Sequence, residues 1–458
     1  MRIGTEMKSP DPAKNEQEPL YGEQTRLAVR NFRIGGRPLP GAFIRALGAI
    51  KATAARVNGA LGVLDPDLAE AIAEAGDAIA EGRHPDQFPV DVYQTGSGTS
   101  SNMNANEVIA ELACRRLGRP VHPNDHVNRG QSSNDVIPTA IHLSSALALR
   151  ELVERLAALQ EAIETRAQAL ESVVKTGRTH LMDAVPVTFG QELSGWAAQI
   201  AADIERLDDV ERRLLRLAQG GTAVGSGLNT HPEFAERFAA RLAERTGLDF
   251  RPAPDAFAAI SAQDTAVELS GQLRVTATSL LKIATDLRWM NSGPVAGLGE
   301  IRLPELQPGS SIMPGKVNPV IPEAVSMACT QVVGLDAAIA LAGQDTRFQL
   351  ATMLPLIASD LLEQIHLLCG SAEALETQAI ARFEVDTETL GQRARSNAML
   401  ATALTPRIGY DRAVEIARAA NAQNREVIAV AREMTELSDP ELEALLDPRR
   451  MTHGKDER

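Results

Sequence analysis

One histidine, one lysine and a group of serine, threonine and asparagine side chains lie in four polar, glycine-bearing segments of an otherwise aliphatic chain. Together they suit the chemistry of a small anion. The first segment, Gln94–Ala110 (QTGSGTSSNMNANEVIA), places Ser97, Gly98 and Thr99 just ahead of an apolar helical pattern. A helix start offering backbone N–H groups and hydroxyls is an anion site, although a helix merely capped by Ser or Asn reads the same way. It is not a Walker loop, which carries a Lys after its glycines. The second segment, His122–Asp135 (HPNDHVNRGQSSND), has almost nothing apolar, and Ser132, Ser133 and Asn134 read as carboxylate donors at the start of a long helix. His122, Asp125 and His126 lie close together, but no Cys, no His-Glu-x-x-His and no distant His pair accompanies them, so no metal site is expected.

The third segment, Gly177–Glu192 (GRTHLMDAVPVTFGQE), puts His180 between two long helical patterns with Arg178, Thr179 and Asp183 around it. That is a position for a general acid or base; a hydrogen-bonded loop histidine is the alternative. The fourth, Pro304–Pro319 (PELQPGSSIMPGKVNP), holds two Gly and four Pro and cannot be regular helix. It reads as a lid whose N–H groups and Lys316 meet negative charge on a substrate. A plain connector has no need of Ser310, Ser311, Lys316 and Asn318 so close together, and Glu323 on the following helix can orient a histidine.

Rigid elements must hold these segments, and apolar residues recurring every three or four positions supply them. From Phe189 to Ala218 the stripe runs Leu193, Trp196, Ile200, Ile204, Leu207, Val210, Leu214 and Leu217; before it comes Leu149, Leu152, Leu156, Leu159, Ile163 and Leu170. Two stretches poorer in charge, about Gln263 to Met290 and Pro319 to Gly343, read as helices buried on most sides of a bundle. Helices of about 30 residues, each about 45 Å long, fit long antiparallel bundles. The pattern predicts an all-α protein in three parts: residues 1–138 with shorter helices and loops at Gly35–Pro40 and His84–Pro89, a long-helix bundle at 139–395, and a small helical domain at 396–458.

The 458 residues are 44% hydrophobic but only 3% aromatic, which argues against base stacking on nucleic acid. A net charge of −14 also disfavours nucleic acid and acidic lipid, so an anionic substrate needs a local cluster of donors. Cys114, Cys329 and Cys369 are far apart and odd in number, as expected in a reducing compartment. The polar start, MRIGTEMKSPDPAKNEQEP, lacks the apolar run of a signal peptide, and no segment reads as a membrane span of about 18 uncharged apolar residues. A cytoplasmic protein with a loose polar start is expected.

Taken together, QTGSGT, HPNDHVN, SSND, GRTH, GGTAVGSGLN at Gly220–Asn229 and GSSIMPGKVNP resemble the class II fumarases of the fumarase/aspartase superfamily. The likeness runs from YGEQTRLAVRNFRIGG at Tyr21–Gly36 to ALTPRIGYDRA near the end. It implies the three-domain fold of that superfamily, and interconversion of L-malate with fumarate and water in the tricarboxylic acid cycle. It also implies a homotetramer with sites shared between subunits, and no cofactor. By the same resemblance Ser310 is the base that removes the C3 proton of malate, and Lys316 and Asn318 hold the aci-carboxylate dianion. His180, paired with Glu323, handles the water. Ser97, Gly98, Thr99, Ser132, Ser133, Asn134, Thr179, Ser311 and Val317 join Lys316 and Asn318 around the substrate. Arg119, His122, Pro123, Asn124 and Asp125 form a second, non-catalytic anion site.

One departure stands out: many relatives read Phe-Glu-Leu-Asn where this chain reads Phe348-Gln349-Leu350-Ala351. The runner-up chemistry is aspartate ammonia-lyase, which shares the lid and His180 but usually lacks the Gly-Ser-Gly-Thr arrangement. A non-catalytic helical scaffold would lack Ser310, Lys316 or His180, and all three are present. About 35 helical residues between Ser132–Asn134 and His180 would separate them by roughly 50 Å, which again predicts sites built from more than one chain.

Overall fold

The computed structural model describes residues 19–453, so the expected loose polar start lies outside the described residues. Along the chain run α1 (Glu23–Asn31), α2 (Gly41–Ala60), α3 (Pro66–Ala80), α4 (Thr99–Leu117) and the 37-residue α5 (Ser133–Ala169). An antiparallel hairpin, β1 (Val174–Thr179) and β2 (Met182–Thr188), then leads into α6 (Phe189–Leu214). Helices α7 (Phe234–Thr246), α8 (Ala256–Ser261), α9 (Asp264–Met290), α10 (Val320–Gln344) and α11 (Leu354–Leu375) follow, before short helices that end near Leu445. The remaining strands are two-residue pairs, and the fold is all-α.

Two compact units form. The first gathers residues up to 144 with 215–263 and 342–359; the second gathers 145–214, 264–341 and 360 onward. The C-terminal helices fall within the second unit, yet Leu400, Leu404, Ile416, Val427, Val430 and Leu442 give them a small core of their own.

In the first unit, α2 and α3 cross where Gly48 meets Gly76. A Cβ on Gly48 would lie 2.7 Å from the Gly76 carbonyl oxygen, so the alanine-rich helices pack backbone to backbone. Pro66 at the first helical position and the Asp65 carboxylate, which accepts from Asp67 and Leu68 N–H, start α3. In the second unit, Leu193, Trp196, Ile200, Leu207, Val210 and Leu214 of α6 are all buried, as the stripe predicts. Each contributes about 1.5–3 kcal/mol by leaving water.

Helix α10 departs from the expectation of burial on most sides. Asp336 fastens one face to α9 by accepting from Ser270 Oγ and Arg274, each at 2.7 Å. The opposite face leaves Ala324, Met327, Gln331, Gly334 and Leu341 open, Met327 at 70% and Leu341 at 67%. By length and composition α5 and α10 are both apolar enough to cross a membrane, although neither holds about 18 uncharged residues in a row. The apolar window of α5 is mostly buried inside the protein, whereas only a third of that of α10 is.

Candidate active site

In the first unit the hydroxyl groups converge. Ser97 Oγ lies 2.8 Å from Thr99 Oγ1, which lies 2.7 Å from Ser133 Oγ. The start of α4 explains the geometry. Gly98 takes φ +72° at the N-cap, and a Cβ there would lie 2.9 Å from the Ile137 side chain. The N-cap residue Gly98 has no side chain to cap α4; Thr95 Oγ1 accepts the Ser100 N–H at 3.2 Å and Gln94 Oε1 the Ser101 N–H at 3.0 Å in its place, which leaves the Ser97 and Thr99 hydroxyls unspent on the helix start. Ser132 Oγ accepts the Asn134 N–H at 3.2 Å, and Asn134 Nδ2 donates to the Ala223 carbonyl at 2.8 Å. The glycine-rich segment after Gly220 is thereby tied to the Ser132–Asn134 turn. The hairpin Thr346–Arg347/Leu350–Ala351 buttresses the other side: Leu354 N donates to Gly96 O at 2.8 Å, and Ala351 is fully buried. The departure at Gln349 and Ala351 therefore lies in an element that supports the Ser97–Thr99 loop.

Two buried ionisable groups lie behind this cluster. The Asp135 carboxylate accepts N–H from Ser132, Gly220 and Thr222 at 2.9–3.0 Å. Burial pushes its carboxyl up to about 6, opposed by those three bonds and by Lys51. Lys51 Nζ donates to Asn128 Oδ1 at 2.8 Å and Gln131 Oε1 at 3.2 Å, and burial pulls its ammonium down to about 7. Neither role is apparent in the motifs. The one local signal was a lysine alone in the apolar run GAIKATAA of α2.

In the second unit, Thr179 ends β1 and His180 begins the two-residue turn to β2. The sequence reads this region as a loop; an antiparallel hairpin forms instead. Beneath the turn, Lys175, Arg178, Glu192 and Glu300 make a charged cluster. A cavity of about 620 Å3 opens beside it, lined by Lys175, Arg178, His180, Glu192, Asp286 and Trp289 among others.

The 304–319 segment is irregular, as its prolines require. Ser310 Oγ accepts two backbone N–H groups, from Ile312 at 3.2 Å and Met313 at 3.0 Å. Asn318 Nδ2 donates to Gly309 O at 2.6 Å and closes the base of the loop. A Cβ on Gly309 would lie 2.0 Å from the Lys316 carbonyl oxygen, so only glycine fits. Ser311, Lys316 and Val317 are exposed, as are His180 and, on α10, Glu323. Among the described residues of the single chain no hydrogen bond or ion pair joins His180 to Glu323.

The segment after Arg119 folds on itself. Arg119 reaches Asp65 Oδ1 at 3.2 Å, and the turn begins Pro123–Val127. His122 Nδ1 accepts N–H from Asn124 at 3.3 Å and Asp125 at 3.0 Å, and lies 3.2 Å from Asp125 Oδ2. An incoming anion would therefore compete with these internal partners.

A family model described as Lyase matches residues 12–334, and one described as Fumarase C C-terminus matches residues 400–453. The chain is 55% identical over 436 residues to fumarate hydratase class II 2 of Pseudomonas aeruginosa, covering 95% of each. It is 53% identical over 438 residues to fumarate hydratase class II of Xylella fastidiosa, covering 95% of this chain and 93% of the relative. The crystal structure of recombinant class II fumarase from Schistosoma mansoni superposes with a TM-score of 0.93 at 35% identity, over 95% of this chain and 96% of that one.

Proposed function

We infer, on the premise that this chain belongs to the lyase family and matches class II fumarate hydratases over most of its length, that it catalyses reversible hydration of fumarate to L-malate. The observation that carries the chemistry is the Ser310 hydroxyl held by two backbone N–H groups in a loop that also presents Lys316 and Asn318.

A C3 proton beside a carboxylate is weakly acidic, so removing it needs both a placed base and preorganised charge stabilisation. The N–H groups of Ile312 and Met313 favour the deprotonated form of Ser310, because hydrogen bonds to an anion are the stronger ones. Ser310 takes the C3 proton, and the adjacent carboxylate becomes an aci-carboxylate dianion. The Lys316 ammonium and the second N–H of the Asn318 amide stabilise it; the first N–H is spent on Gly309 O. Protonation by His180, with Glu323 as its partner, lets the C2 hydroxyl leave as water. Hydration of fumarate is the reverse. Ser97, Gly98, Thr99, Ser132, Ser133, Asn134, Thr179, Ser311 and Val317 complete the dicarboxylate site.

The site is shared between subunits of a homotetramer. Helix α5 has 37 residues, about 55 Å, and Ser133 is at its start. The length of α5 supports a site that takes Ser133 and His180 from different copies of the chain. The open face of α10, with Ala324, Met327, Gln331, Gly334 and Leu341 at spacings of three, four, three and seven, fits helix packing against other copies. Arg119 and His122–Asp125 are assigned to a second anion site outside the reaction. The three separate thiols support a reducing, cytoplasmic setting.

Incubating fumarate with the protein in deuterated water tests the reaction. The expected product is malate carrying one carbon-bound deuterium, read by mass spectrometry; no malate would overturn the assignment.

A further inference from the structure

The hairpin that carries His180 is built in a costly way. His180 (φ +57°) and Leu181 (φ +62°) both sit in the left-handed region between the paired residues Thr179 and Met182. Two-residue turns of this kind favour Asn-Gly, because a side chain with a Cβ is crowded there. Leu181 is 63% exposed, so its packing does not repay the strain. Something at the base of the hairpin must hold the turn.

Glu300 is placed to do so. It is 1% exposed, and its backbone is pinned on both sides: its N–H donates to Met290 O at 2.9 Å, and its carbonyl accepts from Asp386 N at 3.2 Å. The next two residues, Ile301–Arg302, pair with Glu384–Val385. From this fixed point Oε2 accepts from Lys175 Nζ at 2.9 Å and Arg178 Nη1 at 3.3 Å, while Oε1 accepts from Arg178 Nη2. The register of the hairpin shifts between Thr176 and Arg178, and two cations three residues apart reach one carboxylate. Lys175 is 1% exposed and also contacts Glu192. Arg178 lies one residue before Thr179 and two before His180.

We propose that Glu300 is a positioning residue for His180, its buried carboxylate gripping Lys175 and Arg178 so that the strained turn presents the imidazole in one orientation. The proposal rests on the reading of His180 as the proton donor to the departing hydroxyl. Misplacing a reacting group by about 1 Å can cost about 10² in rate.

Glu300→Gln keeps the shape and removes the charge. It should lower kcat for malate by about ten- to a hundred-fold with KM nearly unchanged, and should move the imidazole limb of the pH–kcat profile. Arg178→Lys, which keeps the charge but loses the two-pronged contact, should show a smaller loss of the same kind and guards against poor folding of the first variant. The decisive comparison is Glu300→Gln/His180→Ala: it should be no slower than His180→Ala alone, because Glu300 acts through that imidazole. Multiplying losses, or a KM effect without a kcat effect, would overturn the proposal while leaving the acid role of His180 intact. A His180→Ala enzyme as fast as wild type would instead overturn the reading beneath it.

Discussion

Replacing Ser310 by Ala removes one oxygen from an irregular loop, and two accepted hydrogen bonds, 3.2 Å and 3.0 Å long, go with it. When the oxygen is an alkoxide, each bond is worth about 1.5–3 kcal/mol. A general base adds about 10²–10⁴ in rate, so kcat for malate should fall by about 10²–10⁴. Folding should hardly notice. The neutral bonds lost are worth about 0.5–1.5 kcal/mol each, and the freed N–H groups of exposed Ile312 and Met313 can turn to water. Binding should also persist, because Ser97, Thr99 and Ser133 form their cluster in the first unit independently of this loop. The assay is the ultraviolet absorbance of fumarate as malate is consumed, with KM and a thermal melt alongside. A variant within about ten-fold of wild type would remove Ser310 as the base. A large KM change with unchanged kcat would make it a binding group only.

Three further outcomes are expected. Inactive Ser133→Ala and His180→Ala chains, mixed and allowed to exchange subunits, should regain up to about a quarter of wild-type activity, since each site of the proposed tetramer draws the two residues from different chains; a fully active monomer would contradict this. Gly309→Ala puts a Cβ 2.0 Å from the Lys316 carbonyl oxygen, so activity should fall by about 10² with an unchanged melt; full activity would show that the loop works in another shape. Burial lowers Lys51 to about 7 from 10.5, so between those values the unfolded chain keeps a proton that the folded chain has lost, and this group adds stability as pH rises. The urea midpoint of wild type should therefore climb relative to Lys51→Met between about pH 7.5 and 9.5; a constant difference would refute the shift.

The long helices were legible because burial on one side leaves a stripe: Leu193 through Leu214 lie in α6 as the spacing of three and four requires. That spacing cannot say which chain does the burying. Helix α10 reads as interior from its composition, yet Met327 and Leu341 are uncovered in a single chain. The hairpin at 174–188 escaped notice because its turn is His-Leu, without the Asn-Gly that announces such turns, and Pro186 stands inside its second strand. The polar motifs were visible as motifs, and their hydroxyls do converge at Ser97, Thr99 and Ser133. Their supports were not: Lys175 and Glu300 lie 125 residues apart, and nothing local in either marks the other as its partner.

The most direct measurement offers the purified protein either L-malate or L-aspartate and follows the fumarate double bond by absorbance. Loss of ammonia requires a site that accepts a cationic amino group, which nearby negative charge assists, whereas hydration requires a held water and an acid–base partner. In the proposed site Thr99, Ser132, Asn134 and Thr179 are uncharged donors and acceptors, the Asp135 carboxylate is spent on the N–H groups of Ser132, Gly220 and Thr222, and Glu323 is proposed as the partner of His180. Fumarate should therefore appear promptly from malate and at most slowly from aspartate. Efficient release from aspartate with none from malate would contradict the account and would point to the hairpin at Gln349 and Ala351 as the mark of a different specificity.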